Sequence, residues 1–227
     1  MQSKTVYGDE VETVIFDLDG TLLSGDCTKI WLIHRFRTNV LRLIVVLFCL
    51  PIVLPLLLFK PSRTLGASMF LWLASCMSPE QQLIADVYHF ALKVKNNTLR
   101  DLHWFDLGIA EMRLHQQQGR SIVIATAAPE VLVKQLLDVM DFQVQLVGSE
   151  LTYKYGGWVC TSHCRNEVKV QRLKIIGVNA PWFAAYSDDL EQDYPILVNS
   201  VQPYLINAKN KQRLEPALKN LKHLNWL

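Results

Sequence analysis

Val14 to Leu22 reads V-I-F-D-L-D-G-T-L: an apolar, β-rich run that delivers Asp17 and Asp19 one residue apart and then turns at glycine. In an extended chain alternate side chains share a face, so both carboxylates fall on one side of the strand. Like charges held that close are tolerable only with a cation between them or with a shared proton. The strand must therefore end at an open, ligand-bearing edge, and the residue types predict a Mg²⁺-dependent phosphoryl site.

The rest of the chain alternates strand-like and helix-like segments. Ser121–Thr126 is a short buried-strand candidate, followed by a helix from about Pro129-Glu130 to Met140 and a further strand over Val144–Val147. Glu150–Thr161 reads as a hairpin turned at Gly156-Gly157. A helix over Glu167–Ile176 precedes a strand over Trp182–Tyr186, and Tyr204–Ile206 is a last strand candidate. Such alternation predicts a doubly wound parallel sheet with ligands beyond the carboxyl ends of its strands. Thr126 is expected to end its strand immediately before a helix, where its hydroxyl and neighbouring N–H groups, Ala127 among them, would hold phosphate oxygens. Lys169 begins a helix, and Asp188, Asp189 and Asp193 form an acidic cluster at another strand end that suits a Mg²⁺ shell.

With 227 residues and a net charge of +2, and without a long basic run, the chain gives no reason to expect a nucleic-acid partner. The five cysteines, odd in number and without C-x-x-C, read as reduced thiols, and Cys160, His163 and Cys164 lack the second ligand pair that zinc needs. Half of the residues are hydrophobic, with the excess in one place. Leu43–Phe59 is an unbroken apolar stretch containing Pro51 and Pro55, and a weaker patch covers Ala67–Met77. Catalytic groups on both sides of this insertion must share one side of any membrane, which excludes a single crossing. The favoured arrangement is a monotopic hairpin turning near Pro51 to Pro55; two short crossings, or a buried hairpin in a soluble cap, are the alternatives. Arg35, Arg37 and Arg42 before it, with Lys60 and Arg63 after it, suit an anionic membrane surface. The polar start, Met1 to Thr13, predicts no signal peptide and hence a cytoplasmic active site. From Lys209 to Leu227, leucines at helical spacing opposite lysines predict a basic amphipathic tail helix.

The ordered set D-L-D-G-T, strand-terminal Thr126, Lys169 and D-D-x-x-x-D resembles the haloacid dehalogenase (HAD) superfamily of phosphatases. Around Tyr155–Val170, Y-G-G-W-V-C-T-S-H-C-R-N-E-V-K-V, and in the greasy insertion, it resembles the phosphatidylglycerophosphatase C family of membrane-associated bacterial enzymes. The resemblance implies a HAD-like, Rossmann-like core over 1–27 and 100–208 with a hydrophobic helical cap over 28–99. It implies Asp17 as nucleophile, Asp19 as general acid/base whose carbonyl also serves Mg²⁺, and Thr126 and Lys169 on the phosphate. A phospholipid substrate at the inner (cytoplasmic) membrane follows, with Asp26 steering it and phosphatidylglycerophosphate as the expected lipid. The alternatives are a soluble-metabolite phosphatase similar to phosphoserine phosphatase, or a non-catalytic scaffold. The fourth motif departs from the family pattern by carrying Asp188-Asp189. Asp188 is preferred as the metal ligand because it follows the small Ser187 at the strand end, while counting back from Asp193 points to Asp189.

Overall fold

The computed structural model describes residues 12–59, 62–207, 218 and 220–227, apart from the side chain of Arg63. Most of the polar start, the basic flank at Lys60 and the tail from Lys209 to Ala217 with Lys219 therefore lie outside the described residues. Seven strands, β1 (Thr13–Phe16), β2 (Ser121–Pro129), β3 (Gln145–Lys154), β4 (Gly157–Ser162), β5 (Trp182–Ser187), β6 (Ser200–Ile206) and β7 (Lys222–Leu224), form one sheet in the order β4-β3-β2-β1-β5-β6-β7. Every neighbouring pair is parallel except β3 and β4.

Strand alternation explains why both faces of the sheet are covered. Val14, Phe16, Ile122 and Ile124 point into one core, and Ile15, Val123, Ala125 and Ala185 into the other. The first core is closed by α4 (Glu80–Lys95), α5 (Asp106–Gln117) and α6 (Glu130–Val139), and the second by α7 (Glu167–Ile175) and the short α8 (Tyr194–Val198). This is the doubly wound sheet that the alternation predicts.

Several boundaries differ from the sequence reading. β2 runs on to Pro129 through a shift in register between Ala125 and Pro129, so Thr126 sits at an irregularity in the strand and not immediately before α6. The strand expected at Val144–Val147 continues into the first arm of the hairpin. The turn falls at Tyr155-Gly156, whose φ values of 55° and 75° are what a two-residue primed turn requires. The tail is not helical at its end: Lys222–Leu224 pairs with β6, and Trp226 packs against Tyr186 with ring centroids 5.9 Å apart. Edge pairing won over the leucine periodicity.

Between β1 and α5 the chain forms α1 (Cys27–Arg37), α2 (Val40–Leu58), α3 (Arg63–Ser75) and α4. α2 passes through Pro51 and Pro55 without turning, and the chain reverses only after Phe59. α3 is seated on β4: Ser75 Oγ accepts from Trp158 N at 2.7 Å and Ser68 Oγ from Cys160 N at 3.0 Å. α2 lies on α3 through Val46, Val53 and Leu73. Arg35 and Arg42, expected at headgroup level, point inward. Arg35 pairs with Asp86 and donates to Ala74 O, while Arg42 donates to Cys76 O at 3.1 Å. They satisfy carbonyls at the end of α3 that would otherwise be orphaned.

Candidate active site

The sheet order puts β1 between β2 and β5, so Asp17 and Asp188 emerge just past the carboxyl ends of β1 and β5, beside Thr126 in the irregular stretch of β2, where the crossovers diverge and leave a crevice. β1 itself ends at Phe16. Asp17 extends the ladder by one bond, Asp17 N to Tyr186 O at 2.9 Å, and Leu18 is fully buried between the two aspartates. Asp17, Asp19, Gly20, Asp26, Thr126, Ala127, Lys169, Asp188, Asp189 and Asp193 line one cavity of about 620 Å³. The fold thus gathers every site residue expected from the sequence.

Their roles separate by hydrogen bonding. Lys169 Nζ donates to Asp17 Oδ1 at 2.7 Å and to Asp193 Oδ1 at 2.6 Å, with all three side chains nearly excluded from water. Burial alone would discharge this lysine, but Asp17 and Asp193 hold it as the ammonium and raise its pKa. Asp193 Oδ2 accepts from Ser187 Oγ at 2.7 Å, so both its oxygens are engaged. It holds Lys169 in place. α7, which carries Lys169, is fixed by Arg172, whose guanidinium bridges Glu130 and Glu150 at 2.9 and 2.7 Å. Neither the Ser187–Asp193 bond nor the Arg172 bridge carries a sequence signal, because each partner is distant or ordinary in type.

Asp19 Oδ1 accepts from Cys27 N at 2.9 Å, and burial, followed by the charge of Asp26, pushes its carboxyl up to about 7. A carboxyl poised there can give a proton and take one back near neutral pH. Asp26 caps α1 by accepting from Lys29 N at 2.8 Å and reaches the cavity edge. Thr126 Oγ1 accepts from Ala128 N at 3.1 Å, and its hydroxyl can still donate.

The two acids of the pair are engaged differently. The Asp189 carboxylate is spent on its own turn, accepting from Glu191 N and Gln192 N at 3.0 Å. The Asp188 carboxylate lies against Gly20, where a Cβ would stand 2.1 Å from Oδ2, and the backbone there has φ +81°. Burial, then Asp189 and Asp193, push the Asp188 carboxyl up to about 6. Burial likewise raises Asp17 against the pull of Lys169, with Asp193 and Asp188 adding to it. One ammonium does not balance Asp17, Asp188 and Asp193. Among the described residues no three His, Cys, Asp or Glu side chains converge as a ready-made metal cage. Two repelling carboxylates beside the Asp19–Gly20 backbone nevertheless fit Mg²⁺, which takes one or two carboxylates and fills its shell from water and phosphate.

The doubly wound sheet and the acidic cavity at its carboxyl edge are those of an α/β phosphatase-type hydrolase. The chain belongs to the haloacid dehalogenase-like hydrolases, whose family model matches residues 14–197. Its structure is similar to a protein of unknown function from Bordetella pertussis Tohama I (TM-score 0.71, 17% identity, 96% of this chain and 100% of that one). It is similar also to a substrate-bound phosphoserine phosphatase (TM-score 0.56, 11% identity, 94% and 93%). A third neighbour is a phospho-aspartyl intermediate analogue of phosphoserine phosphatase (TM-score 0.54, 12% identity, 88% of each chain).

Proposed function

We propose that this chain is a Mg²⁺-dependent phosphomonoester hydrolase acting on a phosphate carried by a phospholipid headgroup, with phosphatidylglycerophosphate as substrate and phosphatidylglycerol as product. One observation carries the lipid reading. The catalytic cavity adjoins a second of about 440 Å³, which shares Asp19, Asp26 and Ala127 with it and is walled by Leu32, Ile33, Phe36, Leu57, Phe70 and Leu71. Beyond that wall α2 presents Phe48, Ile52, Leu54 and Leu58 to solvent, and only 17% of its most apolar window is buried. An apolar path from a phosphoryl site to an apolar helix face suits a substrate held in a bilayer. The enzyme would rest on the inner face of the bacterial cytoplasmic membrane, drawn by α2 and an anionic surface.

In the proposed chemistry Asp17 attacks phosphorus in line, breaking the ester P–O bond and becoming the aspartyl-phosphate, while Asp19 delivers its proton to the departing alkoxide. Asp19 then takes a proton from the water that hydrolyses the acyl phosphate. Lys169 and Thr126 meet the phosphoryl oxygens, and Asp193 and Ser187 keep Lys169 aimed. Asp17, Asp188 and the Asp19 carbonyl would hold Mg²⁺, which when bound neutralises charge on the transferring phosphoryl group.

The phosphoserine phosphatase neighbours favour a different substrate, a soluble phosphomonoester, and on the comparisons alone that reading stands ahead. The deciding measurement is hydrolysis of a panel in mixed micelles: phosphatidylglycerophosphate, phosphatidate, phosphoserine and glycerol 3-phosphate, each with and without chelator. Lipid phosphates are expected to give the higher kcat/KM, and chelation to abolish turnover. Preference for phosphoserine would replace the lipid reading with the soluble one, and activity on nothing would leave a scaffold.

A further inference from the structure

The two cavities meet at a cation that the proposed attack leaves unused. Lys169 reaches only the first cavity, and Lys29 and His163 only the second, whereas Arg165 lines both. It lies in the loop joining β4 to α7, and that loop is held by its backbone. Cys164 N donates to Ser149 Oγ at 3.0 Å, Arg165 N to His163 O at 3.1 Å, and Val168 N to Arg165 O at 3.0 Å. Asn166 bends the chain at φ +50°, so one loop-and-helix unit carries Arg165 at the junction and Lys169 in the catalytic cavity. The Arg165 guanidinium forms no ion pair with a described residue, although Asp19 and Asp26 line the same junction.

We propose, resting on the phosphomonoesterase reading of the site, that Arg165 is a specificity residue that binds a second anionic group, a phosphodiester, lying between the scissile phosphate and the apolar part of the substrate. A planar guanidinium can meet two phosphate oxygens at once, which an ammonium cannot. The order along the crevice is then Lys169 on the monoester, Arg165 on the diester, and the Leu32–Phe70 wall on the apolar remainder. A merely solvated or charge-balancing arginine would act on all substrates alike.

The test compares two water-soluble substrates that end in the same monoester: glycerol 3-phosphate, and glycerophosphoglycerol phosphate, which adds a phosphodiester. The wild type is expected to favour the second in kcat/KM, and Arg165→Gln to reduce that preference by about tenfold or more, through KM. Arg165→Lys should restore part of it. A wild type without preference, or a variant that loses equally on both substrates, overturns the proposal. The acylated counterparts, phosphatidylglycerophosphate and phosphatidate in micelles, separate the two readings. Failure on both lipids with the soluble preference intact removes the lipid reading and leaves the subsite standing, while loss of the soluble preference removes the subsite whatever the lipids do.

Discussion

Asp19 owes its acidity near 7 first to burial and then to the charge of Asp26, and this sets a pH dependence that can be moved. In the proposed chemistry the first step needs Asp19 protonated, so kcat/KM should fall as pH rises through its pKa. Asp26→Asn keeps the cap on α1 but removes the charge that raises that pKa. Its alkaline limb should therefore shift to lower pH; an unmoved limb assigns the titration to another group. Asp17→Asn is expected to reduce turnover to background in a folded protein, and Asp19→Asn to cost about 10²- to 10⁴-fold. Gly20→Ala would press a methyl against the Asp188 carboxylate at a backbone angle that alanine avoids. It should raise the Mg²⁺ needed for half-maximal rate together with Asp188→Asn, while Asp189→Asn changes it less. A larger effect at Asp189 would reverse that choice of ligand. Asp17, Asp19, Lys169, Asp188 and Asp193 were legible in sequence because each follows a strand end or opens a helix in a recognisable order. Ser187, Arg165 and Arg172 were not, since their partners or cavities are assembled only by the crossovers.

At the scale of elements, the least legible feature is α2. Two prolines in an apolar run suggest a turn, yet each removes only one helical donor, and packing on α3 through Val46 and Val53 keeps the helix continuous. The end of the tail departs from its leucine spacing for the opposite reason: the open edge of β6 offers unpaired backbone groups, and Lys222–Leu224 fills them. The strands of the core were legible because alternation and apolar runs survive burial on both faces. α2 also carries two kinds of apolar side chain. Leu57 packs against Gly66 and walls the apolar cavity, whereas Phe48 and Ile52 are 81% and 64% exposed. Phe48→Asp and Ile52→Asp should therefore leave stability within about 0.5 kcal/mol while releasing the protein from anionic vesicles. They should depress hydrolysis of lipid phosphates far more than that of glycerol 3-phosphate. Unfolding in thermal denaturation, or equal loss on both substrates, would return α2 to the role of an ordinary packing helix.

For the molecule as a whole, the two flanks of the α2–α3 hairpin are tied together. Arg35 on α1 pairs with Asp86 on α4, and Lys93 Nζ lies 3.2 Å from His34 Nε2. With the fold intact, both flanks share one side of any membrane. At 1.5 Å per residue the 19 residues of α2 reach about 28 Å, nearly the thickness of a hydrocarbon core, but the 13 of α3 reach only about 20 Å. α3 is also hydrogen-bonded to β4 and is not free to return across lipid. Under the proposed lipid reading, α2 would bury its exposed face by lying along one leaflet, with the apolar cavity toward the acyl chains. Single cysteines at Arg37, Glu80 and Leu58, compared with the wild type on vesicles, examine this directly. An impermeant maleimide added outside should label Arg37→Cys and Glu80→Cys but not Leu58→Cys, and the same reagent trapped inside should label none. Labelling of Leu58→Cys from the lumen would mean that α2 crosses the bilayer, and the contacts between α3 and β4 would then have to break when the protein binds.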